Sequence, residues 1–598
     1  MKKNKSLIIV ESPSKANKIQ EYLGDEYIVL ASKGHIEDIA KGGRFGMGID
    51  IENDFKPHYV LMQDKIATLD ELIAATKQCD IIYISSDPDR EGESIGWSVA
   101  KRLADCDKPI KRVVFNEITK KAIQKAIKGP RDIDMKIVNA QIARRVLDRL
   151  VGFMASPFLM NFFGPKLSAG RVQSVITRLV IDKEREIEAF VPEEFWTIQV
   201  NLSKDKDSFI TKYSGRPTDV KSAEAMRLKL VNAKQYVVSE VLSQEETKYP
   251  QPPLITSALQ RIMSKDHGVS ADKTMLAAQA LYESSYISYH RTDSKRVGDD
   301  ALKEVRDYLT TNNFQIPKKP IVYKNTDAAQ DAHECIRPTD LSLLPNSNYA
   351  IIDPIEKLVY ETIWKYFVAS QMTPAIYDTL KITAHVDSDK VAEVKASGKA
   401  LKTKGYLEIL GVDDGQKIEI PMLKVGDICQ LSGKYPVKVE KKQTQPPARY
   451  SEDKLIKEMV ARGVGRPATF SELLSKICVR NYVEKHGQVF HATELGKTIT
   501  DELVKYFTFM DLNYTAKLEK QLDEIEAGKL DHVDMLKKFF PAFKEELNKA
   551  YMQHGSILCE KCNSPMVVRT NKNDGSQYLS CTAYPRCKTT KSLMKEVA

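Results

Sequence analysis

Two short apolar runs near the start of the chain, Leu7–Val10 and Ile81–Ile84, are each followed closely by acidic residues. Runs this short and rich in β-branched side chains fit buried strands. Stretches between and after them, Ile66–Lys77 and Glu93–Ala104 among them, carry helical spacing, and Arg112–Phe115 reads as a further strand. Strands alternating with helices over residues 1–150 predict an α/β unit built on a parallel sheet. In open sheets of this kind ligands gather beyond the carboxyl ends of the strands. Glu11 stands at that end of the first run, with Lys15 one helical turn later. Asp87-Pro88-Asp89-Arg90-Glu91 stands at that end of the second.

Asp87, Asp89 and Glu91 recur at every second position, so an extended segment presents them to one side. A solvated acidic loop capping a helix would account for that spacing by itself. A fourth carboxylate, Glu11, at the same sheet edge adds repulsion that a hard divalent cation relieves, and Mg²⁺ takes oxygen ligands of this kind. The four are therefore expected to bind Mg²⁺ in metal-assisted chemistry on phosphates.

Beyond residue 135 the pattern changes several times. Residues 135–190 read as helical, 195–250 and 378–440 as antiparallel sheet, 254–370 as helical after Pro252-Pro253, and 451–550 as helical after Pro446-Pro447. Recurring β and α blocks leave open a chain that quits one domain and later re-enters it. With 598 residues, 42% of them hydrophobic, there is material for several cores, and a formal charge of +9 permits a polyanionic partner without demanding one. The apolar run after the Lys-rich start stops at Glu11, far short of a signal peptide, and no uninterrupted run reaches membrane length. A cytoplasmic protein with no membrane partner is expected.

Five cysteines are scattered singly, as in a reducing compartment, whereas Cys559, Cys562, Cys581 and Cys587 cluster in a Cys-x2-Cys and Cys-x5-Cys pattern eighteen residues apart. Four thiolates so placed suit one tetrahedral Zn²⁺, and a module this small needs the metal to fold. Tyr578, Tyr584, Arg586 and Lys588 beside them could stack on bases and meet phosphates. Gly496-Lys497-Thr498 suggests a nucleotide loop, but the glycine required five positions earlier is His491, so no nucleotide site is expected.

Ser288-Tyr289-His290-Arg291-Thr292-Asp293-Ser294 puts an arginine two residues past a tyrosine, on one face if the segment is extended. A phenol with a pKa near 10 is a weak nucleophile. A guanidinium beside it lowers that pKa and grips a phosphate bidentately. The chain has 25 tyrosines, most of them necessarily packing residues, so the surrounding motif decides. Tyr-x-Arg-Thr-Asp-Ser resembles the nucleophile segment of type IA DNA topoisomerases. Glu11 in Val-Glu-Ser-Pro-Ser-Lys, with Asp87-Pro-Asp-Arg-Glu-Gly-Glu, resembles their Toprim domain. Gly34–Asp38, Arg112–Glu117, Asn139–Arg149, Leu167–Ser174, Ala332–Thr339 and Gly463–Thr469 match the same family in the same order, spanning nearly the whole chain.

The resemblance implies a multidomain α/β and α+β fold: a Toprim domain, a toroidal core and a C-terminal zinc ribbon. Its divisions would be a Toprim domain at 1–150, a helical strand-binding domain at 151–190 and 446–550, and a β-rich arch at 191–252 and 371–445. A helical domain carrying the tyrosine would occupy 253–370 and the ribbon 551–598. Tyr289 would attack a phosphate of single-stranded DNA and stay joined to its 5′ side. Arg291 would stabilise the phosphate, Glu11 would protonate the leaving 3′ oxygen, and Lys15 and His333 would assist. His35, Arg112, Arg144, Arg145, Asp148, Arg149, Arg171, Gln173 and Arg337 would line the path of the strand. The implied enzyme is a monomer of the bacterial, relaxing branch, acting in the nucleoid on negatively supercoiled DNA with Mg²⁺ and without a nucleotide. The compact Gly46–Tyr59 segment resembles that branch more than the decatenating one; a Toprim nuclease or primase would share the carboxylates without needing Tyr289. His290 departs from the family pattern, where an apolar residue is common, and Cys335 replaces a common alanine.

Overall fold

Four parallel strands carry the N-terminal unit, in the spatial order Tyr27–Ala31, Lys5–Val10, Cys79–Ile84 and Ile110–Arg112. The computed structural model describes residues 5–42, 46–325, 333–346, 351–386, 389–411, 420–571, 575–584 and 587–592, so Arg586 lies outside the described residues. Leu7 and Ile9 face one layer with Ile82, Ile84, Leu72 and Val99. Ile8 and Val10 face the other with Ala16, Ile19 and Leu281. Both faces are covered, which is why these strands read as continuous apolar runs rather than alternating ones. After Lys5–Val10 the chain turns to one side for Tyr27–Ala31, then crosses to the other for Cys79–Ile84. The carboxyl ends of Lys5–Val10 and Cys79–Ile84 thus flank the crevice where strand order reverses.

The strand expected over Arg112–Phe115 instead spans Ile110–Arg112. It ends there because the Arg112 side chain turns into the interior, donating to Glu93 at 2.9 Å and to the carbonyls of Ile84, Val113 and Asp87. Glu93 also accepts from Arg131 and from the backbone N–H of Asp134. Asp89 caps helix Arg90–Arg102, accepting from the Gly92 N–H at 2.7 Å. Gly92 is required by close approach: a Cβ there would lie 2.2 Å from the Asp87 carbonyl oxygen.

Helices Met135–Phe163 and Gln173–Glu188 are completed by segments far along the chain. The first shares one core with Leu512–Glu526 and His532–Gln553, and the second packs on Glu452–Ala461 and Phe470–Val479. Met135–Phe163 is long and apolar enough by composition to cross a membrane. Here Val146, Leu147, Leu150, Val151 and Phe158 are fully enclosed by the returning helices.

Six antiparallel strands close a ring. Glu194–Lys204 pairs with Asp207–Tyr213, followed in turn by Asp389–Thr403, Ala375–Val386, Tyr236–Lys248 and Ile428–Leu431, which pairs back onto Glu194–Lys204. Val437–Gln443 extends the ring along Glu194–Lys204. Lys248 and Ala375 are direct partners in this ring, and the 126 residues between them form the helical insertion that carries Tyr289. The insertion docks on the parallel sheet, where Leu254, Leu281, Ile287 and Tyr289 share a core with Ile8 and Val10. At the C-terminus, Met566–Thr570, Gln577–Cys581 and Thr590–Ser592 form a three-stranded ribbon, and Val567 packs into the large helical core.

Arg112→Leu leaves the buried Glu93 without its interior partner. Calorimetric unfolding is expected to show the N-terminal unit weakened by about 3 kcal/mol or more, and a change below about 1 kcal/mol would remove this pair from the support of the site.

Candidate active site

Glu11 and Asp87 meet at the strand crossing, where the Asp87 N–H donates to the Glu11 carboxylate at 2.7 Å. Burial and the charges of Asp87 and Asp89 push Glu11 up to about 8, although Lys15 pulls the other way. Lys15 rises from helix Pro13–Leu23 and donates to Asp87 at 2.6 Å. Its own desolvation is outweighed by Asp87 and Glu11, so its pKa goes up and it stays charged. Asp87 is itself raised by burial, with Lys15 opposing.

Tyr289 is 3% exposed, and its hydroxyl donates to Asp89 at 2.6 Å. Its backbone N–H donates to the Asn116 carbonyl, tying the inserted unit to the parallel-sheet unit. Arg291 lies against Glu91 at 3.4 Å, and His35 reaches the other Glu91 oxygen at 3.3 Å. The His35 hydrogen bond, with Arg291, holds Glu91 below the usual carboxylate range against its burial. The His333 ring donates to the Pro88 carbonyl at 2.6 Å and stands edge-on to Tyr289. Arg291 does pull the phenol pKa down, as expected of a guanidinium beside it, but it is not the largest influence. Burial, Asp89 and Asp87 outweigh it and raise Tyr289 well above 10, so the hydroxyl is protonated in this arrangement.

A cleft of about 670 Å³ runs from this site across the helical body. His35, Asp89, Glu91, Arg291 and His333 line one end; Gln141, Arg144, Arg145, Asp148, Gln173 and Arg466 line the other. Arg144 and Asp148 pair at 4.0 Å across one helical turn, as their spacing predicts, and Arg145 pairs with Asp38.

Four arginines expected along the strand path have their guanidiniums engaged by the protein. Arg112 is 0% exposed, on Glu93. Arg149 donates to the carbonyls of Met47 and Ile39. Arg337 is held by Glu117 and Glu334 and braces the tyrosine segment through Ser288. Arg171 borders the cleft, yet it is buried on Glu519 at 2.7 Å and Asp148 at 3.2 Å. Their helix or strand positions are legible in sequence, but the direction each side chain takes is not.

Two participants escaped the sequence reading. Tyr282 is buried edge-on to Tyr289, with its hydroxyl 3.5 Å from Asp87 and the Lys15 ammonium over its ring. Nothing in Leu281-Tyr282-Glu283 marks it as different from a core tyrosine. The other is an acidic face of helix Leu512–Glu526 behind the cleft; its Glu519, Asp523 and Glu526 share one side at helical spacing, a signal available in sequence. His290 is 2% exposed, between Tyr282 and Tyr289, and burial keeps its ring neutral.

The Cys562 and Cys581 sulfurs are 3.3 Å apart and those of Cys559 and Cys587 3.6 Å. Among the described residues these four form the one group of potential ligands whose donor atoms all lie within 4.8 Å of one another. That is near the edge of roughly 3.8 Å expected for a tetrahedron with zinc–sulfur arms of about 2.3 Å. The four carboxylates converge less closely, since Lys15 holds Asp87 and Tyr289 holds Asp89. Their donor chemistry fits a hard cation: all oxygen, crowded enough to keep Glu11 protonated.

A buried tyrosine docked onto the acidic edge of a Toprim-type sheet, beside a cleft lined by arginines and carboxylates, fits an enzyme class that works on nucleic-acid phosphates. Family models match a Toprim domain over residues 6–118, a DNA topoisomerase over 132–537 and a topoisomerase DNA-binding C4 zinc finger over 556–596. DNA topoisomerase 1 of Pseudomonas aeruginosa is 38% identical and that of Vibrio cholerae 37%, each alignment covering 99% of this chain and 74% of the relative. The structure of full-length topoisomerase I from Thermotoga maritima matches with a TM-score of 0.81 at 32% identity, covering 98% of this chain and 97% of that one. The chain belongs to the bacterial DNA topoisomerase I family of type IA enzymes.

The difference in ultraviolet titration between the wild type and Tyr289→Phe isolates this one phenol. It is expected to show no ionisation up to pH 10, and Asp89→Asn is expected to move the ionisation downward, because the nearest negative charge is then gone. Ionisation near neutral pH would mean that the resting nucleophile is already activated.

Proposed function

We propose that this chain relaxes negatively supercoiled DNA without a nucleotide, through a transient break in one strand. The observation that carries this reading is the Tyr289 hydroxyl held on Asp89, a carboxylate that lines the same cleft as Arg144, Arg145 and Arg466. A single strand lies along the cleft. The Tyr289 oxygen attacks a phosphorus and takes its 5′ side, its proton passing to the Asp89 carboxylate that already accepts the hydrogen bond. Arg291 stabilises the charge that builds on the phosphate. Glu11, protonated at neutral pH, gives its proton to the departing 3′ oxygen, and Lys15 offsets the carboxylate this leaves behind. His333 keeps the Pro88 turn in place against the tyrosine ring. The phosphotyrosine conserves the energy of the broken bond, so the other strand passes and the break reseals with no ATP.

Asp87, Asp89 and Glu91, with Glu11 beside them, are the residues that would hold Mg²⁺, and bound there it supplies positive charge for religation. Cys559, Cys562, Cys581 and Cys587 would hold one structural Zn²⁺, and Tyr578, Tyr584 and Lys588 give the ribbon its contacts with the strand. The divisions proposed are a Toprim domain at 1–150, strand-binding helices at 151–190 and 446–550, an arch at 191–252 and 371–445, a tyrosine domain at 253–370 and a ribbon at 551–598. The protein acts as a monomer on the DNA of the cytoplasm.

The test is to incubate the enzyme with end-labelled single-stranded DNA and quench with detergent. Label joined to protein through the 5′ end of the downstream fragment, and absent in Tyr289→Phe, is expected; free ends in both proteins would indicate a Toprim nuclease instead. With a chelator present, single-turnover cleavage is expected to fall as the pH rises through about 8, where Glu11 loses its proton. Glu11→Gln is expected to remove that limb and to slow cleavage on the order of 10²- to 10⁴-fold. Elemental analysis is expected to find one zinc per chain, falling below half in Cys559→Ser.

A further inference from the structure

One carboxylate of helix Leu512–Glu526 lines the cleft, and two more lie behind it. Asp523 lines it directly, and Glu519 and Glu526 lie on the same side of helix Leu512–Glu526. Asp523 is the one shared between two cleft arginines. One oxygen accepts from Arg90 at 2.5 Å, and the other accepts from Arg466 at 2.6 Å. Arg90 comes from the acidic turn of the parallel-sheet unit, beside Asp89 and Glu91, and pairs also with Glu526. Arg466 comes from a loop of the helical body and lies 3.9 Å from Glu519. Both arginines line the cleft, so two of its guanidiniums are already occupied by a carboxylate carrying the charge of a phosphodiester.

We propose that Asp523 is a specificity-determining clasp: it stands in for a DNA phosphate between Arg90 and Arg466 and yields them when a single strand enters. This rests on reading the cleft as the single-strand groove. Because Asp523 is about three-quarters buried and bidentate, its hold on the two arginines is stronger than that of a solvated ion pair. A strand must therefore place a phosphate closely enough to replace both bonds at once. Weak or misplaced polyanions are rejected, and the strand is released readily as Asp523 recaptures the arginines. The clasp also joins the sheet unit to the helical body, so the filled groove and the empty one differ in what ties those units together.

The experiment measures binding of a fluorescent single-stranded oligonucleotide at several salt concentrations, for the wild type, Asp523→Asn and Glu526→Gln, with thermal unfolding of each. Asp523→Asn is expected to bind roughly two- to tenfold more tightly at low salt. Its salt dependence should steepen by about 0.7 for each arginine newly available to a phosphate. Glu526→Gln, which frees one arginine from one of two partners, is expected to shift in the same direction by less. Unchanged or weaker binding by folded Asp523→Asn, with an unchanged salt slope, would mean that the residue is only a tether between units. If Asp523→Asn unfolds, the decision passes to Glu526→Gln, where weaker or equal binding overturns the clasp. A wild type that binds no single strand under any of these conditions defeats the proposed function itself, an outcome distinct from failure of the clasp alone.

Discussion

Negative charge gathered at one edge of a parallel sheet is the constraint around which this molecule is arranged. Glu11 and Asp87 end adjacent strands, and Asp89 and Glu91 follow within a single turn. Left alone, such a group would be protonated or pushed apart. Each carboxylate instead has a counterpart from elsewhere. Lys15 meets Asp87, the Tyr289 hydroxyl meets Asp89, and Arg291 with His35 meets Glu91. Glu11 has less compensation and keeps its proton. One sheet edge thus holds a charged acid and a neutral one side by side, the division of labour that acid–base catalysis needs.

The compensating groups explain the wandering path of the chain. Tyr289 and Arg291 sit in an insertion between two paired strands of the closed ring, each 200 residues away from the acid it meets. The apolar contact of that insertion with Ile8 and Val10 brings Tyr289 to the carboxylates, and Asn116, Pro88 and Asp89 fix its last few ångströms. Further ion pairs cross the same junction, Arg337 with Glu117 and Lys121 with Asp300. The helical body is braced differently, by the fully buried Arg171–Glu519 pair. Buried pairs of this kind hold one arrangement because losing either partner strands a charge in the interior.

Much of the fold was legible because the responsible signals are local. Strand-end acids, the helical spacing of Arg144 and Asp148, and the four clustered cysteines all lie within a few turns of chain. The strand expected at Arg112–Phe115 was displaced because Arg112 is amphipathic enough to finish a strand and still bury its guanidinium on Glu93. The net upward shift of the phenol, against the pull of Arg291, was hidden for a similar reason. Sequence places Arg291 near Tyr289, but the depth of burial and the approach of Asp89 and Asp87 are properties of the assembled site.

By itself the sequence determined the element types, the acidic edge, the tyrosine–arginine segment and the four-cysteine cluster, since each depends on residues close together in the chain. Tertiary structure alone decided which arginines reach the cleft. Arg145 and Arg149 lie one turn apart on one helix, yet only Arg145 lines it, while Arg149 turns to backbone carbonyls. It also decided the enclosure of Tyr282 and the sharing of Asp523 between Arg90 and Arg466, residues more than 370 positions apart. A side chain's charge is written in its identity, but its partner is fixed only when distant segments pack and exclude water.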